Sequence, residues 1–134
     1  KSVKTYIEGV RAEAMREGRV RTLFGRVRSF AVLKGRGHRG EVEQALRAAV
    51  NTTMQGTAAD LMKLAMSRVE KVLDEGGFRA RLLLQVHDEL LLEAPRAEID
   101  VVKDRVREAM EHVHPLSVPL SVDQKIGGDW REVT

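Results

Sequence analysis

The sequence contains no cysteine and no apolar run near the roughly 18 residues that a membrane span needs. The absence of cysteine excludes a disulfide scaffold, a thiolate metal site and a cysteine nucleophile. It fits a reducing compartment. Eleven glycines are present, yet they form neither a P-loop nor a dinucleotide-binding pattern.

The remaining composition is that of a globular protein. Apolar residues make up 43% of the 134 positions and charged residues 32%, unlike the low hydrophobicity of disordered chains. This length suits one ordinary domain and leaves little room for a second. The first residue is Lys1 rather than methionine, as expected of a fragment or a processed product.

Charge is distributed unevenly along the chain. Residues 1–47 hold 12 Lys and Arg against 5 Asp and Glu, a net +7, while residues 48–134 hold 11 against 15, a net −4. The most basic stretch is 16–39, in which Glu17 is the single acidic residue. Its basic residues are Arg16, Arg19, Arg21, Arg26, Arg28, Lys34, Arg36 and Arg39. A basic patch of this kind indicates a polyanion partner, above all nucleic acid, although a merely solubilising surface remains an alternative.

The first half of the chain predicts a helix, a hairpin and a helix pair. An apolar stripe from Val3 to Ala14 predicts a helix that ends at Gly18. The next segment, 20–33, favours a hairpin turning near Gly25, and the glycine-rich 34–40 predicts a flexible basic loop. Residues 41–75 have helical periodicity, but 51–57 (NTTMQGT) are weak helix formers, so we expect two helices with a break between them.

The second half predicts a hairpin, a helix and a final strand. In 81–94 two apolar runs flank a charged tip, His87-Asp88-Glu89, which predicts a β-hairpin. A helical stripe covers 99–113, and 120–126 suggests one last short strand. The order indicates an α+β fold, with an antiparallel sheet built from hairpins and helices packed on one face.

The acidic tip is the sharpest chemical feature. Hard divalent cations such as Mg²⁺ are held by one or two carboxylates together with substrate phosphate oxygens. Asp88 and Glu89, mounted between apolar strands, would suit such a site and two-metal phosphoryl transfer. The alternative is that Asp88 is only a turn residue, because aspartate favours turns.

A second constellation lies on the predicted helix pair. Arg47, Asn51 and Gln55 are spaced by four and therefore share one helical face. Two amides and an arginine suit the DNA minor groove, where every base pair offers acceptors. The alternative is an ordinary polar face with a local capping role for Asn51. Asp60 is expected to be buried and hydrogen-bonded, with no catalytic role.

Four segments resemble family A DNA polymerases, the bacterial DNA polymerase I type, in order over nearly the whole chain. They are TLFGRVR (22–28), RAAVNTTMQGTAADLMKLAM (47–66), LLLQVHDELLLEAP (82–95) and IGGDW (126–130). The first is similar to the family's basic hairpin, the second to its helix at the primer–template minor groove, and the third to motif C. The resemblance implies the C-terminal part of the palm, with a palm-type sheet, over 1–134, a basic hairpin and loop at 19–40 and the motif C hairpin at 81–94.

The resemblance also implies roles for single residues. Asp88 would bind the catalytic Mg²⁺ ions, with Glu89 as its acidic neighbour in a lesser role. His87 would approach the primer end on its minor-groove side. The remaining DNA contacts would come from two backbone-binding residues, Arg26 and Arg28, and three groove-tracking residues, Arg47, Asn51 and Gln55.

Some positions depart from the family pattern. The usual glutamate before the helix arginine is Leu46, and the usual proline after the helix asparagine is Thr53. The family's other metal-binding aspartate and its nucleotide-binding fingers helix have no counterpart here and would precede Lys1. A two-metal site needs carboxylates from two places, and this chain supplies one.

The function implied is template-directed nucleotidyl transfer from a dNTP to a primer 3′-hydroxyl, in DNA replication and repair. The partners would be primer–template DNA, dNTP and an upstream polymerase segment, in the same gene or as a second chain, with no membrane. The place of action would be the cytoplasm, at the nucleoid or in a phage-infected host. By itself the chain is expected to be inactive. The alternative is a non-catalytic nucleic-acid-binding module or a polymerase relic.

Overall fold

The computed structural model describes residues 2–35 and 37–133. The chain divides into two compact units, the first ending at Asp60. Arg36, a member of the basic patch, lies outside the described residues. In the first unit, Ser2 precedes α1 (Val3–Glu17) as its N-cap, and the Ser2 hydroxyl accepts a hydrogen bond from the Thr5 amide. It ends at Gly18, which adopts the left-handed conformation predicted for a helix stop.

The basic hairpin follows α1. Strand β1 (Arg19–Arg21) pairs antiparallel with β2 (Val27–Ser29), and Gly25 lies in the turn with φ of 83°, as the sequence predicted. The predicted strand character of Val32 is wrong, because Ala31–Leu33 form a single 3-10 turn after the short β2. The next helix begins at Arg39, inside the predicted loop.

Helix α2 (Arg39–Glu75) runs without interruption through the segment where we expected a break. That expectation was wrong because each threonine of this segment has a tertiary partner: Thr52 accepts from Arg28, Thr53 from Tyr6 and Thr57 from the Leu23 amide. The three hydroxyls also donate within the helix. Thr52 donates to the Ala48 carbonyl oxygen, Thr53 to that of Val50 and Thr57 to that of Thr53, at 2.6–2.8 Å. No proline removes a backbone donor here, so the helix continues.

The core of the first unit lies between α1, the hairpin and the beginning of α2. Its buried side chains are Val10, Ala14, Val20, Phe30, Leu33, Ala45, Leu46 and Ala49. Leu46 therefore fills a core position. At the surface, Arg11 Nη2 contacts both carboxylate oxygens of Glu43 at 2.8–2.9 Å. The hydrogen bond from Arg11 lowers the pKa of the Glu43 carboxyl below its ordinary value.

The second unit contains the end of α2, a second hairpin and α3 (Ile99–Glu111). Strand β3 (Arg81–Val86) pairs antiparallel with β4 (Glu89–Glu93), with an irregularity between Leu82 and Leu84. The buried core of this unit comes from α2, α3 and Ala80, and consists of Val69, Leu73, Ala80, Val102, Val106 and Ala109. Leu90 and Leu92 of β4 pack against it.

The predicted last strand over 120–126 does not form. This segment finds side-chain partners instead of a neighbouring strand. The Val122 amide donates to Glu111 Oε1 at 2.9 Å, and Gln124 Nε2 donates to the Lys103 carbonyl oxygen at 2.8 Å. Both bonds tie the segment to α3, and the first satisfies a backbone donor that a sheet ladder would otherwise use.

The α+β class and the antiparallel hairpins are confirmed, with each hairpin forming a separate two-stranded sheet. Within the described residues, none of the helices combines the length and the apolar character needed to cross a membrane.

Candidate functional site

The acidic tip is a tight turn between β3 and β4. Val86 pairs with Glu89, so His87 and Asp88 are the two residues of the turn. His87 has φ of 54°, which is uncommon for a residue other than glycine. Gln85 Nε2 donates to the His87 carbonyl oxygen at 2.6 Å, which holds the turn in this conformation.

All three predicted tip side chains, His87, Asp88 and Glu89, are exposed. Glu89 is the first residue of β4, whereas Asp88 lies in the turn, so the two acidic residues differ in backbone conformation. Both carboxylates offer the hard oxygen ligands that Mg²⁺ prefers. A protein usually supplies one or two carboxylates to a Mg²⁺ ion, and Asp88 could be one of them. Within residues 2–35 and 37–133, no group of three or more His, Cys, Asp or Glu side chains forms a complete metal cage.

The predicted helix face lies on α2 in the first unit. Arg47, Asn51 and Gln55 are all exposed and occupy successive turns, because α2 is one continuous helix in this region. Met54 is 60% exposed on the same side of the helix, since 54 lies seven positions after 47. The face therefore combines a cation, two amides and one apolar side chain.

The hairpin arginines are held against α2 by specific contacts. Arg26 Nε donates to Asp60 Oδ1 at 2.8 Å, and its Nη2 donates to the Gly56 carbonyl oxygen at 3.0 Å. Arg28 Nη1 donates to Thr52 Oγ1 at 3.1 Å, and its guanidinium lies 5.3 Å from the ring centre of Phe30. Both guanidinium groups are thus fixed by the protein.

One shallow concavity brings four predicted DNA-binding residues together. It is lined by Arg26, Arg28, Ala48, Asn51, Thr52, Gln55 and Gly56. Arg47 stands one helical turn before Asn51 on the same face, outside this lining. His87, Asp88 and Glu89 belong to the second unit and are described by themselves.

Asp60 is hydrogen-bonded to Arg26, as the sequence analysis expected, and its side chain is 12% exposed. Sequence reasoning missed that Thr52, Gly56 and Asp60 hold the hairpin arginines. Thr52, Gly56 and Asp60 are spaced by four, as are Asn51 and Gln55, so α2 carries two adjacent stripes. The spacing was visible in the sequence, but only the hairpin contacts show that the second stripe holds arginines. Nothing in the sequence predicted that Gln85 would donate a hydrogen bond to the acidic turn, apart from its position two residues before His87.

Comparison with known proteins gives concordant results. Residues 1–132 match the family model described as DNA polymerase family A. The thermostable DNA polymerase I of Thermus aquaticus is 50% identical over 128 residues, which cover 96% of this chain and 15% of that protein. The DNA polymerase I of Streptococcus pneumoniae serotype 4 is 42% identical over 132 residues, covering 97% of this chain and 15% of that protein.

A solved structure is similar over nearly the whole chain. The polymerase domain of Pol1 from M. smegmatis, in complex with DNA primer-template and dNTP, has a TM-score of 0.93 and 40% identity. The match covers 98% of this chain and 23% of that one. The chain spans about 15% of the length of the curated relatives it matches. Because the family model covers almost every residue, the chain belongs to DNA polymerase family A.

Proposed function

We propose that this chain is the C-terminal palm portion of a template-directed DNA polymerase. The observation that carries the proposal is its similarity, over nearly its full length, to a polymerase domain in complex with primer-template DNA and dNTP. The reaction is nucleotidyl transfer, in which the primer 3′-hydroxyl attacks the α-phosphate of a dNTP and pyrophosphate leaves.

Asp88 is the proposed metal ligand, and Glu89 is its acidic neighbour. The Asp88 carboxylate is exposed at the tip of a hairpin whose β4 strand packs on the core, so its backbone position is well supported. Bound Mg²⁺ ions would lower the pKa of the primer hydroxyl and offset charge on the leaving pyrophosphate. Their further ligands would come from substrate phosphates and from an upstream palm segment, in the same gene or in a second chain.

The first unit is the proposed contact surface for the primer–template duplex. The amides of Asn51 and Gln55 can donate to purine N3 and pyrimidine O2, which every base pair presents in the minor groove. Arg26 and Arg28 border the same concavity and supply positive charge for backbone phosphates. Arg47 continues this face by one helical turn, and His87 is proposed to meet the primer end. Contacts of this kind would depend little on sequence.

We place this activity in the cytoplasm, at the nucleoid or on phage DNA, in replication or repair. This assignment rests on the bacterial DNA polymerase I relatives.

The deciding test is single-turnover incorporation by the full-length protein carrying Asp88→Asn. The substitution keeps the size and turn preference of the side chain but removes the charge that a hard cation needs. Incorporation should fall by at least ~10³-fold, equivalent to about 4 kcal/mol of transition-state stabilisation, with little change in primer–template affinity. The matched control is Asp104→Asn on the exposed face of α3, which should be as active as the wild type.

The outcomes separate the alternatives. Near-normal incorporation by Asp88→Asn would discard the metal-ligand assignment and leave Asp88 as a turn residue. DNA binding without incorporation by the wild-type protein would favour a non-catalytic binding module.

A further inference from the structure

The ion pair between Arg26 and Asp60 is asymmetric in its burial. The Asp60 side chain is only 12% exposed, whereas that of Arg26 is 52% exposed. The carboxylate therefore faces the protein while the guanidinium reaches the surface. An aspartate whose only purpose was to increase surface charge would not be expected in such a sheltered position.

The Arg26 side chain is fixed at two of its three nitrogen atoms. Nε donates to Asp60 and Nη2 donates to the Gly56 carbonyl oxygen, and both acceptors are on α2 one turn apart. Within the described residues, the edge of the guanidinium formed by Nε and Nη2 is therefore hydrogen-bonded to the protein. Residues 2–35 and 37–133 provide no hydrogen-bond acceptor for its remaining terminal nitrogen, which can donate to an oxygen atom from outside the chain.

The hairpin backbone is held close to the same part of α2. The Leu23 amide donates to Thr57 Oγ1 at 3.0 Å. A Cβ atom added to Gly56 would lie 2.8 Å from Thr22 Cγ2, so only glycine permits this approach. The two segments therefore meet in one arrangement, and Arg26 is held within it.

We propose that Asp60 is a positioning residue for DNA binding, which fixes the Arg26 guanidinium in the concavity shared with Arg28, Asn51 and Gln55. This inference rests on the proposed function. A preoriented arginine loses less side-chain freedom on meeting a phosphate than a free one, and its planar fork allows only a few geometries. Asp60 thus favours the binding of an anion although it is itself an anion.

The direction in which one substitution changes DNA affinity distinguishes this role from general electrostatics. Asp60→Asn removes a negative charge beside a surface that binds a polyanion, so simple electrostatics predicts tighter DNA binding. A positioning role predicts weaker binding, by roughly threefold to tenfold, because a neutral amide oxygen holds the guanidinium less firmly than the carboxylate does.

The experiment measures the affinity of the full-length protein for a primer–template duplex by fluorescence anisotropy. The variants are Asp60→Asn, Arg26→Ala and the double variant, and the matched control is Asp74→Asn, at an exposed position of the same helix. Asp60→Asn should bind more weakly, Asp74→Asn should bind as the wild type or slightly more tightly, and Asp60→Asn should have no further effect in the Arg26→Ala background. Equal or tighter binding by Asp60→Asn, or an equal loss in both backgrounds, would overturn the proposal.

A second variant leaves Asp60 intact in case Asp60→Asn does not fold. Arg26→Lys keeps the positive charge but lacks the fork that bonds to Asp60 and Gly56 together. It should bind DNA more weakly than the wild type although its charge is unchanged, and binding equal to the wild type would refute the positioning role. If the wild-type protein itself does not bind the duplex, the proposed function fails; if it binds and Arg28→Ala weakens binding while Asp60→Asn does not, only this inference fails.

Discussion

The Tyr6 hydroxyl donates a hydrogen bond to Thr53 Oγ1 at 2.9 Å, and the two residues are 47 positions apart in the sequence. Thr53 is buried and also donates to the Val50 carbonyl oxygen of its own helix. Its hydroxyl therefore uses both its donor and an acceptor site. This bond ties the beginning of α1 to the middle of α2.

Removing the phenol oxygen should loosen α1. Tyr6→Phe deletes the hydrogen bond and leaves the ring, so we expect a loss of about 1 kcal/mol in the local stability of α1. Hydrogen exchange of the α1 amides in the full-length protein should be roughly fivefold faster. The amides of α3, in the second unit, are the internal control and should not change. Unchanged exchange in α1 would show that the bond contributes nothing in solution.

Two helical glycines should respond in opposite ways to alanine. A Cβ added to Gly9 of α1 would have nothing within 4 Å, whereas a Cβ on Gly56 would meet buried Thr22 at 2.8 Å. Gly9→Ala should stabilise α1 by about 0.5–1 kcal/mol, because alanine is the better helix former. Gly56→Ala should displace the hairpin, since overpacking costs about 1–3 kcal/mol.

Hydrogen exchange also checks this pair. The β1–β2 amides should exchange faster in Gly56→Ala, and the α1 amides more slowly in Gly9→Ala. Protected hairpin amides in Gly56→Ala would mean that the close approach of Thr22 is not required.

The Arg11–Glu43 pair should make stability depend on pH in a defined direction. Arg11 lowers the pKa of Glu43 in the folded protein, so folding favours the ionised carboxylate. Its contribution is present above the unfolded pKa of about 4.3 and is lost as the pH falls through the lower folded value. The difference in melting temperature between wild type and Glu43→Gln should therefore exist at neutral pH and close in acid. Arg11→Ala removes the main cause of the lowered Glu43 pKa and should shrink this difference.

Periodicity predicted most elements because each buries one face. The buried residues Val10 and Ala14 of α1, and Val106 and Ala109 of α3, belong to the apolar stripes that predicted these helices. The continuity of α2 could not be predicted from propensity, because Thr52, Thr53 and Thr57 each gain a partner from another segment: Arg28, Tyr6 and Leu23. Such tertiary contacts override weak helix propensity.

The same distinction applies to the site. The acidic turn and the Arg47, Asn51 and Gln55 face were predictable because motif and spacing are local properties. The anchoring of Arg26 was not, since Asp60 lies 34 positions away and the pairing exists only once the hairpin packs on α2. The final strand was wrongly predicted for a related reason: β propensity at Leu120 and Val122 cannot supply a neighbouring strand.

Charged and neutral residues of the proposed DNA surface should differ in their salt dependence. A residue that neutralises one phosphate contributes about 0.9 to the magnitude of the slope of log K against log salt, whereas an amide that bonds to a base edge contributes none. Arg28→Ala should therefore weaken duplex binding and reduce the slope by about 0.9. Asn51→Ala should weaken binding by about 1 kcal/mol at every salt concentration, with the slope unchanged.

The measurement is anisotropy of a primer–template duplex at four or more salt concentrations with the full-length protein. Arg107→Ala, on the exposed face of α3 in the second unit, is the charge-matched control and should leave both affinity and slope as in the wild type. If Asn51→Ala lowers the slope, or Arg28→Ala weakens binding without lowering it, then the assignment of Arg28 to phosphate and of Asn51 to the groove is wrong. Because Arg28 and Asn51 border the same concavity, a general disturbance of this surface would change both variants alike, and only distinct contacts would separate them.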